Sequence, residues 1–313
     1  MTVSWDDEVE EILKGDLTVG LGYRTPAGGV VVQAVAPIGL SDRAAGTVGF
    51  TTSLGFSKKL DRIARDPRVA MAFHARDHGF GGGSSYVLAQ GTARVIADPT
   101  EAQRDQVRDL AARYLGPPAE GLFWDRWLRE YYDVRVPVEV EVERMIVWPD
   151  LRCAGRPRVL GARLPRGDPP AQKAPKQGTG PRVDARKTGR RVGGTEHRLL
   201  GFAGVDGWPV IVPVEIEEAG ADGIRLAADA RLPPGGRRAG LLGHSYRAQL
   251  IGLEARQYTG WLEVDADGRA LYAPHTEQGY KAPPNKTMLL LFNGLLAKRG
   301  VRAGRKAAAA PGG

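Results

Sequence analysis

The sequence predicts a mainly β protein with helices, an antiparallel barrel or α+β sheet rather than a doubly wound α/β fold. Three observations carry this. Short β-rich runs are separated by Gly, Pro and Asp turn residues. Val134, Val136, Val138, Val140 and Val142 alternate strictly with Arg, Pro, Glu and Glu, the period of two of a strand with one buried face. No regular strand–helix–strand alternation runs through the chain.

Taken in order, residues 6–14 read as a short acidic helix stopped by Gly15. Residues 17–24 and 30–36 read as a hairpin around the Pro26-Ala27-Gly28-Gly29 turn. A strand at 46–52 leads into a short helix capped by Ser57 and closed before Pro67. Strands follow at 69–74 and 86–97, joined by a Gly-rich loop at 79–85. Asp98-Pro99-Thr100-Glu101 reads as a helix start, with Asp98 as cap and Pro99 first in the helix. That helix stops at Gly116-Pro117. A second is expected near 122–131, and then the valine-rich strand closes at Trp148-Pro149.

The second half is a loose echo of the first. Residues 201–216 echo 22–36, residues 237–244 echo 67–74, and residues 250–264 echo 86–97, each of the last pair with a central glycine. Asp267-Gly268 supplies a hairpin turn. The echo lacks the Ser57-Lys58-Lys59 helix and has Leu232-Pro233-Pro234-Gly235-Gly236 in its place. A duplication is one reading of this half. A closing helix is expected at 284–298. The expected organisation is a first domain at 1–155, a basic Pro/Gly-rich linker at 156–195, a β-rich second domain at 196–300 and a tail at 301–313.

With 313 residues, 42% of them hydrophobic and 26% charged, the chain suits about two domains with sizeable cores and excludes a disordered or fibrous protein. No apolar run approaches a membrane span, and the acidic start does not resemble a secretory signal. One cysteine, Cys153, excludes an internal disulfide and a cysteine-based metal site. A cytoplasmic protein without a membrane partner is expected. The net charge of +8 sits in two places: +7 between Arg163 and Arg191, and +5 in the tail, so the rest is about four charges negative. A solubilising linker is the plain reading, and a weak, salt-sensitive polyanion contact the sharper one. No sequence-specific nucleic-acid motif appears.

Lys58 and Lys59 are the most informative pair. Two cations in the first turn of a helix face its positive end, where backbone N–H groups lack partners. An anion there would engage the amides, both lysines and the hydroxyls of Thr51, Thr52 and Ser53; two solvated surface lysines are the alternative. His74 and His78 fall on a strand and loop and do not form a metal-binding helical pair. Gly79–Gly83 lacks the helix that a dinucleotide fingerprint needs, and Gly243-His244-Ser245 lacks the flanking glycines of a nucleophile elbow. Trp208, Tyr258, Trp261 and Tyr280 read as core or interface. The polar residues His275, Glu277 and Lys281 fit either a pocket or a plain loop.

The stretch from Phe50 to Phe73, with Thr52-Ser53, Ser57-Lys58-Lys59 and Asp66-Pro67-Arg68-Val69, resembles the pyridoxamine 5′-phosphate oxidase-like superfamily of flavin- and deazaflavin-dependent proteins. The resemblance covers about residues 15–150. It implies a split β-barrel of the FMN-binding type in the first half, with a degenerate second barrel as one reading of the second. Thr52, Ser53, Ser57, Lys58 and Lys59 fall on the positions that hold the cofactor phosphate. Tyr86 falls where the family often has a flavin-contacting glutamine. The implied function is an FMN-dependent oxidoreductase passing hydride to or from a small-molecule substrate; the alternatives are a deazaflavin-dependent reductase and a non-enzymatic flavin-binding or regulatory protein. Relatives bind flavin between two barrels, so a homodimer or an intrachain pseudo-dimer is implied. Lys58 replaces an arginine, which weakens directional grip on a phosphate. The oxidase's basic residue on the earlier strand and its C-terminal substrate signature are missing, so formation of pyridoxal phosphate is not expected.

Overall fold

The acidic opening folds as an amphipathic helix, α1 (Asp7–Gly15). The Asp6 carboxylate accepts a hydrogen bond from the Val9 amide at 3.0 Å, and Val9, Ile12 and Leu13 are buried. The computed structural model describes residues 2–53, 57–116 and 135–283. The helices expected at 122–131 and 284–298, and the tail, lie outside the described residues. Among the described residues no helix is long and apolar enough to cross a membrane.

In the first half follow β1 (Val19–Arg24), β2 (Val30–Val35), β3 (Ser41–Asp42), β4 (Thr47–Ser53), α2 (Ser57–Arg65), β5 (Arg68–Phe73), β6 (Tyr86–Val95), α3 (Glu101–Leu115), β7 (Arg135–Trp148) and β8 (Arg158–Gly161). The alternation in β7 has its expected effect: Val136, Val138, Val140 and Val142 are buried while Glu141 and Glu143 are exposed. The start of α3 corrects the sequence reading. Its cap is Thr100, not Asp98, because the Thr100 hydroxyl accepts from the Gln103 amide while the Gln103 side chain accepts from the Thr100 amide.

The second half contains α4 (Ala185–Gly193), β9 (His197–Ala203), β10 (Pro209–Pro213), β11 (Glu215–Ala219), β12 (Ile224–Ala227), β13 (Gly235–Ser245), β14 (Glu254–Val264) and β15 (Ala270–Lys281). The first sheet runs β2-β1-β5-β6-β7-β4-β3, with β8 added on β7; the second runs β10-β9-β13-β14-β15-β12-β11. Adding eight to each strand number of the first order gives the second. All pairings are antiparallel. The chain is therefore two split β-barrels of one topology.

The repetition extends to a defect. β6 shifts register against β7 between Gln90 and Gly91, and β14 shifts against β15 between Thr259 and Gly260. A Cβ on Gly91 would stand 2.1 Å from the Glu141 carbonyl oxygen, and one on Gly260 2.2 Å from that of Ala273. Both bulges bring backbone so close that only glycine fits.

Val19, Leu21, Phe50, Val69, Met71 and Val138 fill the first barrel. A second cluster joins Val30, Val32, Ala72 and Leu88 of the first barrel to Leu199, Ile211 and Leu241 of the second, so the seam between barrels is itself apolar core. Polar anchors cross it. Tyr86 donates to the Ile211 carbonyl at 2.7 Å, Gln90 Nε2 to that of Pro209 at 2.6 Å, and Arg144 pairs with Asp206 at 2.7 Å.

The stretch at 156–195, whose composition suggests a linker, runs as a strap across both barrels. Gln172 donates from its backbone to Gly236 and from its side chain to Gly28, and the Arg182 amide donates to Pro274. Its last part is α4, capped by Asp184 on the Lys187 amide, with Thr188, Gly189 and Val192 buried and Arg186 and Arg190 exposed. Basic residues on the outer face and small or apolar ones beneath give a linker's composition to a docked helix.

Candidate functional site

The site expected from sequence lies where β4 ends and α2 begins. β4 is held along one edge by β7, with Thr52 opposite Val136 and Ser53 opposite Arg135. Alternation puts Phe50 and Thr52 on one face of β4. Phe50 is fully buried in the first barrel, and Lys59 from α2 places its Nζ 5.8 Å from the Phe50 ring centroid. Lys59 is 8% exposed, an ammonium taken out of water over an aromatic face.

Two further features sharpen the site. Thr52 is buried, and its hydroxyl oxygen has no hydrogen-bond partner among the described residues, a state that costs about 1–3 kcal/mol unless something else supplies the bond. The first turn of α2 carries no acidic residue, so no carboxylate in that turn offsets the positive helix end. Lys58 and Lys59 sit in different environments. Consecutive helix positions are about 100° apart, and Lys58 is exposed while Lys59 is buried. Thr51 is buried and Ser53 half-buried at the strand end. The backbone of Ser57 opens α2.

Tyr86 is not brought to this place. It pairs with Trp148 at one end of β7, whereas Thr52 pairs with Val136 at the other. Its ring is wholly buried, packed edge-on against Trp148 at 5.6 Å, and its hydroxyl is committed to Ile211.

Two clusters went unread in the sequence. His74, His197, His244 and Tyr246 cluster at the seam, with ring centroids 5.0–5.9 Å apart between neighbours; Tyr246 stacks on both His197 and His244, and His74 meets His244 edge-on. The echo of 67–74 in 237–244 sets His74 beside His244 in the alignment, which was the available signal. Among the described residues no group of His, Cys, Asp or Glu is arranged to hold a metal ion. The other cluster is a set of arginines around a cavity at the far end of α2.

No protein-family model and no curated protein matches the chain. Solved structures similar to it include the conserved hypothetical protein Rv2991 of Mycobacterium tuberculosis, with TM-score 0.37 and 21% identity over 49% of this chain and 89% of that one. A Clostridium acetobutylicum protein related to general stress protein 26, of the pyridoxinephosphate oxidase family, gives TM-score 0.33 and 13% identity over 49% and 90%. An F420 reductase gives 0.32 and 23% over 44% and 94%.

Proposed function

We propose that the chain binds the phosphate of a flavin or deazaflavin coenzyme at the β4–α2 junction of its first barrel and serves as an oxidoreductase on a small molecule. The observation that carries this is the orphaned, buried Thr52 hydroxyl on the β4 face that Lys59 also covers. A phosphate supplies the hydrogen-bond partner that the Thr52 hydroxyl lacks among the described residues. Its oxygens can accept from the hydroxyl, from the ammonium and from the first-turn amides of α2. The residues present therefore fit the group. Ser53 and Ser57 belong to the same loop ends, and exposed Lys58 adds long-range attraction rather than a fixed contact. The Tyr86 hydroxyl, used in the seam, is not among these phosphate partners.

The coenzyme, when bound, supplies hydride transfer, and the protein supplies binding and orientation. The motif resemblance of residues 50–73 favours this class of coenzyme over other phosphates. No helix corresponding to α2 lies between β12 and β13, which favours the first barrel as the place of the phosphate. The test is the absorption spectrum of the purified protein, followed by titration with FMN and with the deazaflavin coenzyme and by reduction with a nicotinamide donor. Micromolar binding of one coenzyme with turnover is expected. Binding without turnover leaves a flavin-binding or regulatory protein, and no binding of either overturns the assignment.

A further inference from the structure

The cavity at the other end of α2 has a volume of about 590 Å³ and an unusual lining: Arg24, Arg62, Arg65 and Arg68 with a single carboxylate, Asp66. The formal charge of that set is +3. The arginines come from three elements, the end of β1, the last two turns of α2 and the start of β5. Lys58 and Arg65 are seven residues apart on α2, about 10 Å along its axis, so this cavity is not the phosphate site proposed above.

Two of the guanidinium groups are fixed. Arg68 grips Asp66 through Nε and Nη2, both at 2.8 Å, and Arg24 Nε lies 3.4 Å from the same carboxylate. Their remaining N–H groups reach the second barrel: Arg24 donates to the Gly207 carbonyl at 2.7 Å and Arg68 to that of Asp206 at 3.3 Å. The turn between β9 and β10 thus forms a wall that orients both. Asp66 is shared between two arginines. Arg62 reaches the buried Tyr23 hydroxyl, and neither Arg62 nor Arg65 forms an ion pair with an acidic residue among the described residues.

Planar forks suit oxyanions, which they hold in pairs of parallel hydrogen bonds. A concave volume of this size admits a small molecule rather than a lone ion. All four cations are arginines, with no lysine among them, and all four line one space. We propose that this cavity is a second binding site, for a small multivalent oxyanion carrying two or more phosphate or carboxylate groups. Asp66, Asp206 and Gly207 hold Arg24 and Arg68 in place as its base, and Arg62 and Arg65 close over the anion from α2.

Calorimetric titration of the full chain at physiological salt tests this, with inorganic pyrophosphate and citrate as probes, in the wild type, an Arg62→Gln/Arg65→Gln double variant, and Lys59→Ala. Both substituted arginines are partly or fully exposed, so the double variant should fold, and its thermal midpoint checks this. At least one probe is expected to bind below millimolar, weaken with added salt, lose at least tenfold in affinity in the double variant, and keep its affinity in Lys59→Ala. Binding of pyrophosphate alone identifies a phosphoanhydride ligand, and of citrate alone a polycarboxylate. No binding of either probe, an unchanged affinity in the double variant, or a loss confined to Lys59→Ala overturns the proposal, the last by placing the anion at the coenzyme site.

Discussion

His74 Nε2 and His244 Nε2 lie 2.8 Å apart in the seam, one from each barrel. His74 Nδ1 is 2.9 Å from the Ala72 carbonyl, which can only accept, so Nδ1 carries the hydrogen. A neutral His74 then has a bare Nε2 that accepts from His244 Nε2–H. This leaves His244 Nδ1 a buried acceptor with no partner. Burial favours these neutral forms, pushing His74 down to about 3 and His244 well below the usual imidazole range.

Unfolded, each histidine takes up a proton as pH falls through about 6.5; folded, His74 does so only near 3. Between those values the unfolded state binds more protons, so the contribution is intact above about pH 6.5 and is lost progressively towards pH 3. At pH 5 each histidine held neutral costs about 2 kcal/mol. Asp16, raised to about 7 by burial despite its pairing with Arg76, works in the opposite direction. The comparison is therefore with His244→Gln, by urea unfolding at pH 7.5 and 5.0. The wild type should lose more stability on acidification than the variant, and parallel losses would contradict the tautomer chain.

Tyr86→Phe removes a hydroxyl whose partner, the Ile211 carbonyl, faces it from the second barrel. A loss of about 1–2 kcal/mol in unfolding free energy is expected. Coenzyme affinity should not change, because Tyr86 and Thr52 pair with opposite ends of β7. A tenfold loss of coenzyme affinity without loss of stability would place Tyr86 at the site instead.

Gly91→Ala and Gly260→Ala each force a Cβ onto a carbonyl oxygen in a barrel bulge. Each should cost about 3 kcal/mol, read as a drop in thermal midpoint. A neutral effect at either position would show that the bulge can relax.

Much of this was legible in the chain. Alternating valines located β7, and the central glycines Gly91 and Gly260 marked equivalent positions in two halves that share little else. The helix α4 escaped notice because its exposed face is basic and its buried face is built from Ala185, Thr188, Gly189 and Val192, too small to give an apolar stripe. The cap of α3 was misplaced because Asp98-Pro99 and Thr100-Glu101 both look like starts, and only the reciprocal bonds of Gln103 decide between them. At the site, the sequence offered Lys58 and Lys59 as equals; burial over Phe50 separates them. The arginine cavity draws on residues 24, 62, 65 and 68, and no local pattern unites them.

The central claim is that Lys59 and Thr52 together receive a coenzyme phosphate. The most direct measurement is the dissociation constant of FMN and of the deazaflavin coenzyme for the wild type, Lys59→Ala and Thr52→Val, with thermal midpoints as a folding control. At least a tenfold weakening in each variant is predicted, about 1.4 kcal/mol, with Thr52→Val folded at least as stably as the wild type because it removes an unpartnered buried hydroxyl. Affinities indistinguishable from wild type in both variants would contradict the account.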